Sequence, residues 1–84
     1  MNVIYKYPIH FGTVNVVRNG NVIHFAKDMH GQLSAWIEHR GDDDTNTKLY
    51  IVGTGTPFDD QHIVHCTYID DYGIVWHLVE DWDA

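Results

Sequence analysis

The chain has 84 residues, which is enough for one domain at most. Apolar residues make up 44% of it and aromatic residues 13%, so it can build a small core and is not disordered by composition. Five Lys and Arg against twelve Asp and Glu give a formal net charge of −7, which disfavours a protein that wraps duplex nucleic acid. Cys66 is the only cysteine, which excludes an internal disulfide and a cysteine-rich zinc framework.

The opening residues 1–6 lack the apolar run that a signal peptide carries after its charge. Elsewhere, uninterrupted apolar stretches are only a few residues long, far short of the roughly 20 that span a bilayer. We therefore expect a cytosolic protein with no membrane partner.

Short β-prone runs broken by turn residues recur along the chain, as is typical of an all-β protein. They predict seven strands, over residues 3–7, 13–17, 22–27, 32–39, 47–52, 63–69 and 74–80. Asn19-Gly20 predicts a tight hairpin between the second and third strands, and residues 70–73 predict one between the last two. The one helical candidate, residues 26–32, is interrupted by Gly31. The prediction is a single domain over residues 1–84, all-β or with at most one short helix, folded as a compact antiparallel sheet or barrel of six to seven strands.

The fourth predicted strand places Trp36 on an unexpected face. Alternation puts Leu33, Ala35 and Ile37 on one side of this strand. Trp36 falls on the other side, among polar residues, where a core tryptophan is not expected. This position favours a contact with a ligand.

The last predicted strand is apolar on both faces. Trp76 and Leu78 share one face, and Val75 and Val79 share the other. Such a strand is either central and covered twice or part of a subunit interface. Because so short a chain has little with which to cover both faces, we expect a homo-oligomer, a dimer or a tetramer.

Templates for catalysis and metal binding do not fit. Seven histidines are present, but His62 and His65 are three residues apart on a strand and point to opposite faces. No helical His-Glu-x-x-His motif occurs. Cys66 lies in the middle of a predicted strand, as a buried thiol would, and Ser34, the only serine, is not in a nucleophile elbow. We therefore predict no enzyme activity, no metal and no cofactor.

The segment Gly53-Thr54-Gly55-Thr56-Pro57 suggests a different chemistry. Two glycines alternating with threonines after a strand could expose backbone N–H groups and hydroxyls to a phosphate. The structural alternative is a tight turn that needs positive φ at a glycine. Aromatic side chains able to stack on a base, Trp36, Tyr5 and Tyr7, together with the cation Lys6, would complete a nucleotide pocket.

Four motifs in order resemble a widespread family of short phage-encoded proteins. They are Lys6-Tyr7-Pro8 near the start, the central Trp36, the Gly53–Pro57 segment, and Val75-Trp76-His77 near the end. The resemblance covers nearly the whole chain. It departs between Asp42 and Thr47, and at Thr56, where this family more often has His.

The resemblance implies an anti-CBASS nucleotide sponge. Such phage proteins act in the host cytoplasm as β-rich oligomers that sequester a cyclic dinucleotide such as cGAMP, without cleaving it, and so evade host immunity. Carried onto this chain, Trp36 and Tyr7 would stack on bases and Lys6 would neutralise a phosphate. His77 would donate a hydrogen bond, and the phosphate would be held by the loop residues Gly53, Thr54, Gly55 and Thr56. Trp76 and Tyr5 could equally be core residues.

A second hypothesis is an acidic inhibitor of the anti-CRISPR type, which binds a host defence protein by mimicking nucleic-acid phosphates. The net charge of −7 favours it, because an acidic body repels an anionic ligand. The acidic residues, however, cluster at predicted turns and at the C-terminal end rather than along one surface. That distribution favours the nucleotide-binding hypothesis.

Overall fold

The computed structural model describes residues 1–82. These residues form seven strands: β1 (Asn2–Pro8), β2 (Asn15–Arg18), β3 (Asn21–Lys27), β4 (Leu33–Arg40), β5 (Asn46–Gly53), β6 (Ile63–Ile69) and β7 (Val75–Asp81). The all-β prediction is confirmed. The helical candidate at residues 26–32 is wrong: this segment is the end of β3 and the turn into β4. Residues 1–82 contain no helix long and apolar enough to cross a membrane.

The strands form two antiparallel sheets. A three-stranded sheet has the order β1-β4-β3, and a four-stranded sheet has the order β2-β5-β7-β6. The β3 edge of the first meets β6 of the second, where the rings of Phe25 and Tyr68 lie 6.2 Å apart. The predicted hairpin between the last two strands is confirmed, since β6 and β7 pair antiparallel around residues 70–74.

The hydrophobic core fills the space between the sheets. It consists of Ile9, Val17, Phe25, Leu33, Ala35, Ile37, Leu49 and Leu78. The predicted alternation in the fourth strand is confirmed, because Leu33, Ala35 and Ile37 all belong to this core. β4, β5 and β7 supply the residues at its centre because each is flanked by strands on both sides.

The predicted hairpin at Asn19-Gly20 is wrong. β2 pairs with β5 and β3 pairs with β4, so these two residues connect the two sheets instead of turning one strand back on another. Gly20 also lacks the positive φ that a type I′ turn requires. Its role is close approach: a Cβ at Gly20 would lie 2.5 Å from the carbonyl oxygen of Glu38 and 2.7 Å from Cγ2 of Ile37.

The last strand is central and covered on both faces within the chain. Leu78 lies in the core, while Val79 on the opposite face is also fully buried. β5 and β6 lie on either side of β7 and run parallel to each other, so residues 54–62 must cross β7 to join them. The core fills the inner face, which leaves the outer face for this crossing. The two-faced apolar pattern therefore does not require a subunit interface. The homo-oligomer stays a prediction.

Gly20 and Gly53 both lack a positive φ, which allows a matched test of the close approach at Gly20. Gly20→Ala should destabilise the fold by about 1–3 kcal/mol, because backbone of β4 blocks the added methyl group. Gly53→Ala should cost less, since its nearest neighbour beyond the adjacent residues is Trp76 at 3.4 Å. Urea unfolding monitored by tryptophan fluorescence measures both. Equal losses would show that Gly20 is needed for another reason.

Candidate functional site

The structure separates the site residues predicted from the sequence. Lys6 and Trp36 are cross-strand partners and share the face of the three-stranded sheet that points away from the core. Trp36 is half-buried there, with its ring 5.3 Å from that of His24. Tyr7 lies on the opposite face of the same sheet, where its hydroxyl contacts Nε2 of His39 at 2.8 Å. One ligand cannot contact Lys6 and Tyr7 through the same face.

His77 and the Gly-Thr segment lie together on the four-stranded sheet. Nε2 of His77 is 2.8 Å from the hydroxyl of Thr54, and Nδ1 is 2.9 Å from the hydroxyl of Thr67. Both ring nitrogens therefore have partners within the chain. His77 and the Gly-Thr segment are therefore neighbours. They lie on a different sheet from Lys6, Tyr7 and Trp36.

The Gly53–Thr56 segment forms a hydrogen-bonded turn. The Thr56 N–H donates to the Gly53 carbonyl at 3.1 Å, and Gly55 has φ of +93° at the third position, as a type II turn requires. The Thr54 N–H donates to the Val75 carbonyl at 3.1 Å. The positive-φ alternative is thus confirmed at Gly55, and two of the N–H groups proposed for phosphate already have acceptors.

Lys6 is held in an ion pair. Its Nζ donates to Oδ2 of Asp28 at 2.8 Å, while Oδ1 of Asp28 accepts from the N–H groups of His30 and Gln32. The hydrogen bond from Lys6, with those from the backbone, lowers the pKa of Asp28 to about 2. The carboxylate therefore stays charged at neutral pH, neutralises Lys6 and closes the turn between β3 and β4.

A cleft of about 330 Å³ opens where three connections meet. It is lined by the β1–β2 connection, the β3–β4 turn and the β6–β7 hairpin: Ile9, His10, Phe11, Lys27, Gly31, Gln32, Leu33, Tyr68, Asp70, Tyr72 and Trp76. Its volume is at the lower end of the roughly 300–1,000 Å³ that is typical of small-molecule sites. The cleft is the candidate functional site.

Four aromatic side chains line this cleft: Phe11, Tyr68, Tyr72 and Trp76. The rings of Phe11 and Trp76 meet edge-to-face, with centroids 4.9 Å apart. Nε1 of Trp76 donates to Oδ2 of Asp70 at 3.1 Å, which fixes the orientation of the indole. Tyr72 extends from the hairpin with 89% of its surface exposed. The cleft thus combines fixed aromatic walls with one exposed ring at its rim.

Lys27 is the cation of the cleft lining. Its Nζ lies 3.4 Å from Oδ2 of Asp71, and this carboxylate raises the pKa of Lys27. Burial pushes the pKa of Asp70 up, but the hydrogen bonds that it accepts, from Trp76 and from its own turn, outweigh burial and lower it. The ion pair of Lys27 is exposed, so an anionic ligand could replace Asp71 at small cost.

Sequence reasoning missed most of this site. Phe11 and Tyr72 lie in connections, each just before a glycine. They were missed because the sequence there predicted only turns. Trp76 could be recognised only as a candidate for core or ligand. The usable signal was the presence of large aromatic side chains in two turns, since turns are usually polar.

Four histidines of the described residues are placed by hydrogen bonds within the chain: His39, His62, His65 and His77. In residues 1–82, no group of three or more His, Cys, Asp or Glu side chains is arranged to hold a metal ion. The geometry of the cleft supports stacking on a planar ring, with one charge contact.

Comparison with protein families matches residues 1–84 to a family described as a domain of unknown function (DUF7352). Among curated proteins and among solved structures, none matches the chain.

The low pKa of Asp28 predicts how stability responds to acid. The pKa of this carboxyl is about 3.9 in the unfolded chain and about 2 in the folded chain. The ionised carboxylate therefore stabilises the folded state above about pH 4. This contribution is lost as the pH falls from about 4 to 2. Asp28→Asn should therefore be less stable than the natural chain at pH 6, with the difference shrinking toward pH 2. Urea unfolding across this range measures it, with Asp60→Asn as the control. A difference independent of pH would contradict the prediction.

Proposed function

We propose that this chain, which belongs to that family of unknown function, is a non-catalytic binding protein whose cleft takes a planar nucleobase-like ring. The observation that carries the proposal is the solvent-accessible aromatic cleft of about 330 Å³. Stacking of a base on aromatic side chains contributes about 1–3 kcal/mol per base and tolerates different bases. The exposed ring of Tyr72 and the indole of Trp76 offer such surfaces.

The resemblance to phage nucleotide sponges suggests a cyclic dinucleotide as the ligand. In this proposal one base enters the cleft, and a phosphate takes the place of Asp71 beside Lys27. The small volume leaves room for one base inside, so the second base stays outside the cleft or reaches another subunit. Binding would sequester the signal molecule in the host cytoplasm and so counter host immunity.

The carboxylate of the lining supports binding without turnover. Asp70 accepts hydrogen bonds from Trp76 and from the N–H groups of Tyr72 and Ile74, so its carboxylate is committed to the hairpin. A carboxylate can act as a general base only if it is free to take a proton near the reacting group. Lys27 contributes charge, and its raised pKa keeps it protonated at neutral pH.

The acidic-inhibitor hypothesis draws less support from the structure. Four aspartates accept a hydrogen bond from the backbone N–H two residues later: Asp28, Asp43, Asp59 and Asp70. These carboxylates build turns in four different connections, which accounts for part of the acidity through folding. An inhibitor that mimics nucleic acid would instead need carboxylates aligned for a partner.

Tryptophan fluorescence distinguishes the cleft from the site predicted around Trp36. Titration with cGAMP, a nucleoside and inorganic phosphate should quench fluorescence for the two base-containing ligands. Trp76→Phe should lose most of this change, whereas Trp36→Phe should retain it, because only Trp76 lines the cleft. The reverse result would place the ligand on the outer face of the three-stranded sheet. Linear product after heat release of bound cGAMP would show catalysis.

Two exposed tyrosines provide a matched pair for affinity. Tyr72→Ala should weaken cGAMP binding by about 1–3 kcal/mol through loss of stacking, with stability nearly unchanged because the side chain is 89% exposed. Tyr5→Ala removes a half-exposed ring outside the cleft and should leave affinity unchanged. Calorimetric titration measures both. Equal affinities for the two variants would contradict stacking on Tyr72.

A further inference from the structure

β1 is an open edge of the three-stranded sheet. It pairs with β4 along its whole length of seven residues, and no strand within residues 1–82 pairs with its other side. The register between β1 and β4 has no bulge. Natural proteins usually protect such an edge with charges, bulges or a covering segment, because unpaired N–H and C=O groups can bind another strand.

Hydrogen bonds at the two ends of β1 show which backbone groups face outward. The Gly41 N–H donates to the Met1 carbonyl at 3.4 Å, and the Ile9 N–H donates to the Leu33 carbonyl at 2.9 Å. In an antiparallel ladder the residues that bond to the partner alternate, so the odd-numbered residues of β1 bond to β4. The even-numbered residues therefore point their N–H and C=O groups away from the sheet: Asn2, Ile4, Lys6 and Pro8.

The position of Pro8 agrees with this assignment. Proline has no N–H to donate and is tolerated in a strand only where that group would face away from the ladder. Pro8 lies at the end of the outward-facing series. Three outward N–H groups remain, on Asn2, Ile4 and Lys6, evenly spaced around Ile4.

The side chains of β1 also suit a contact between identical surfaces. Val3, Ile4 and Tyr5 are 38%, 51% and 52% exposed, so this edge leaves large apolar groups in water. The strand has no acidic residue although the chain carries a net charge of −7, and its one cation, Lys6, is neutralised by Asp28. Two copies can approach at this edge without bringing carboxylates of the strand together.

We propose that β1 pairs antiparallel with β1 of a second copy, with Ile4 of each copy facing the other across a two-fold axis. In this register Asn2 faces Lys6 of the second copy, and each facing pair exchanges two hydrogen bonds. Every outward N–H of Asn2, Ile4 and Lys6 then has an acceptor, and Pro8 lies outside the paired segment. Val3 packs beside Tyr5 of the second copy, and the two sheets become one sheet of twice the width.

The choice of a second copy over a foreign peptide rests on this register. A two-fold axis at Ile4 maps the three outward donors onto themselves, as a self-complementary interface requires. A foreign strand would need no such symmetry about Ile4. The outer edge of β1 is a different surface from the cleft, which lies at the connections, and from the last strand.

Cysteine crosslinking tests both the pairing and the register. In a Cys66→Ser background, Ile4→Cys should form a covalent dimer on mild oxidation, since facing Cα atoms of a hydrogen-bonded pair lie about 5.5 Å apart. Lys6→Cys should not, because the two copies of residue 6 would be about 14 Å apart along and across the strands. Equal crosslinking of the two variants, or crosslinking of Lys6→Cys alone, would overturn the register.

Sedimentation tests whether the edge itself causes assembly. The natural chain should sediment at twice its mass of 9.7 kDa at micromolar concentration. Ile4→Pro removes an outward N–H without touching the β4 ladder and should give a folded monomer, whereas Ile4→Val should remain a dimer. If Ile4→Pro loses its circular dichroism signal, Ile4→Lys takes its place, because facing lysines repel each other. A monomeric natural chain, or a folded Ile4→Pro or Ile4→Lys variant that still dimerises, would overturn the proposal.

Discussion

The burial of the inner face of β4 constrains most of the rest of this structure. Ala35 and Ile37 on this face are fully excluded from solvent, and His39 is 1% exposed. A small chain can bury one face of a strand so completely only if other strands flank it on both sides and a second sheet packs over that face. β1 and β3 provide the flanks, and the four-stranded sheet provides the cover. The order of strands follows from this requirement.

The same constraint explains the two least expected local features. His39 stands where alternation would place an apolar residue, and the core accepts it because both ring nitrogens are bonded. Nδ1 donates to the carbonyl of Asn19 at 2.9 Å, because a carbonyl oxygen can only accept, and Nε2 lies 2.8 Å from the Tyr7 hydroxyl. Gly20, next to Asn19, lies against the β4 backbone where a side chain would not fit. The connection between the sheets is thus held by one buried polar contact and one close approach.

Several acidic side chains of this protein stabilise its turns. The aspartates of four connections accept N–H groups of their own turns, and the hydrogen bonds from those groups help to keep the pKa values of Asp28, Asp43 and Asp70 low. The net charge alone would suggest an acidic binding surface. The distribution of the charge instead shows that several carboxylates stabilise loops. Lys27 and the aromatic side chains then define the chemistry of the cleft. An anionic ligand must work against the remaining field, which makes stacking the main expected source of affinity.

Much of the fold could be predicted from the sequence, because strand periodicity and turn chemistry are local properties. The seven strands, the β6–β7 hairpin and the inward face of Leu33, Ala35 and Ile37 all followed from alternation and turn residues. The Asn19-Gly20 hairpin was predicted wrongly, because the same dipeptide suits both a tight turn and a close approach of two backbones. Only the position of the Glu38 backbone beside Gly20 distinguishes the two cases.

The site shows the same division. Trp36, Lys6 and the Gly53–Thr56 turn were recognisable as unusual by local pattern, and each has the local property expected of it: an outward face, a cation and a positive φ at Gly55. Whether they meet depends on which strands pair, and pairing is a long-range property. Tertiary structure placed them on two sheets and gathered Phe11 and Tyr72 from two connections, with Trp76 from β7, into one cleft. The sequence by itself determined the strands, their faces and the turn chemistry, because each depends on residues a few positions apart. Only the packing of the two sheets decided which aromatic side chains share a cavity, because that depends on contacts between residues distant in the chain.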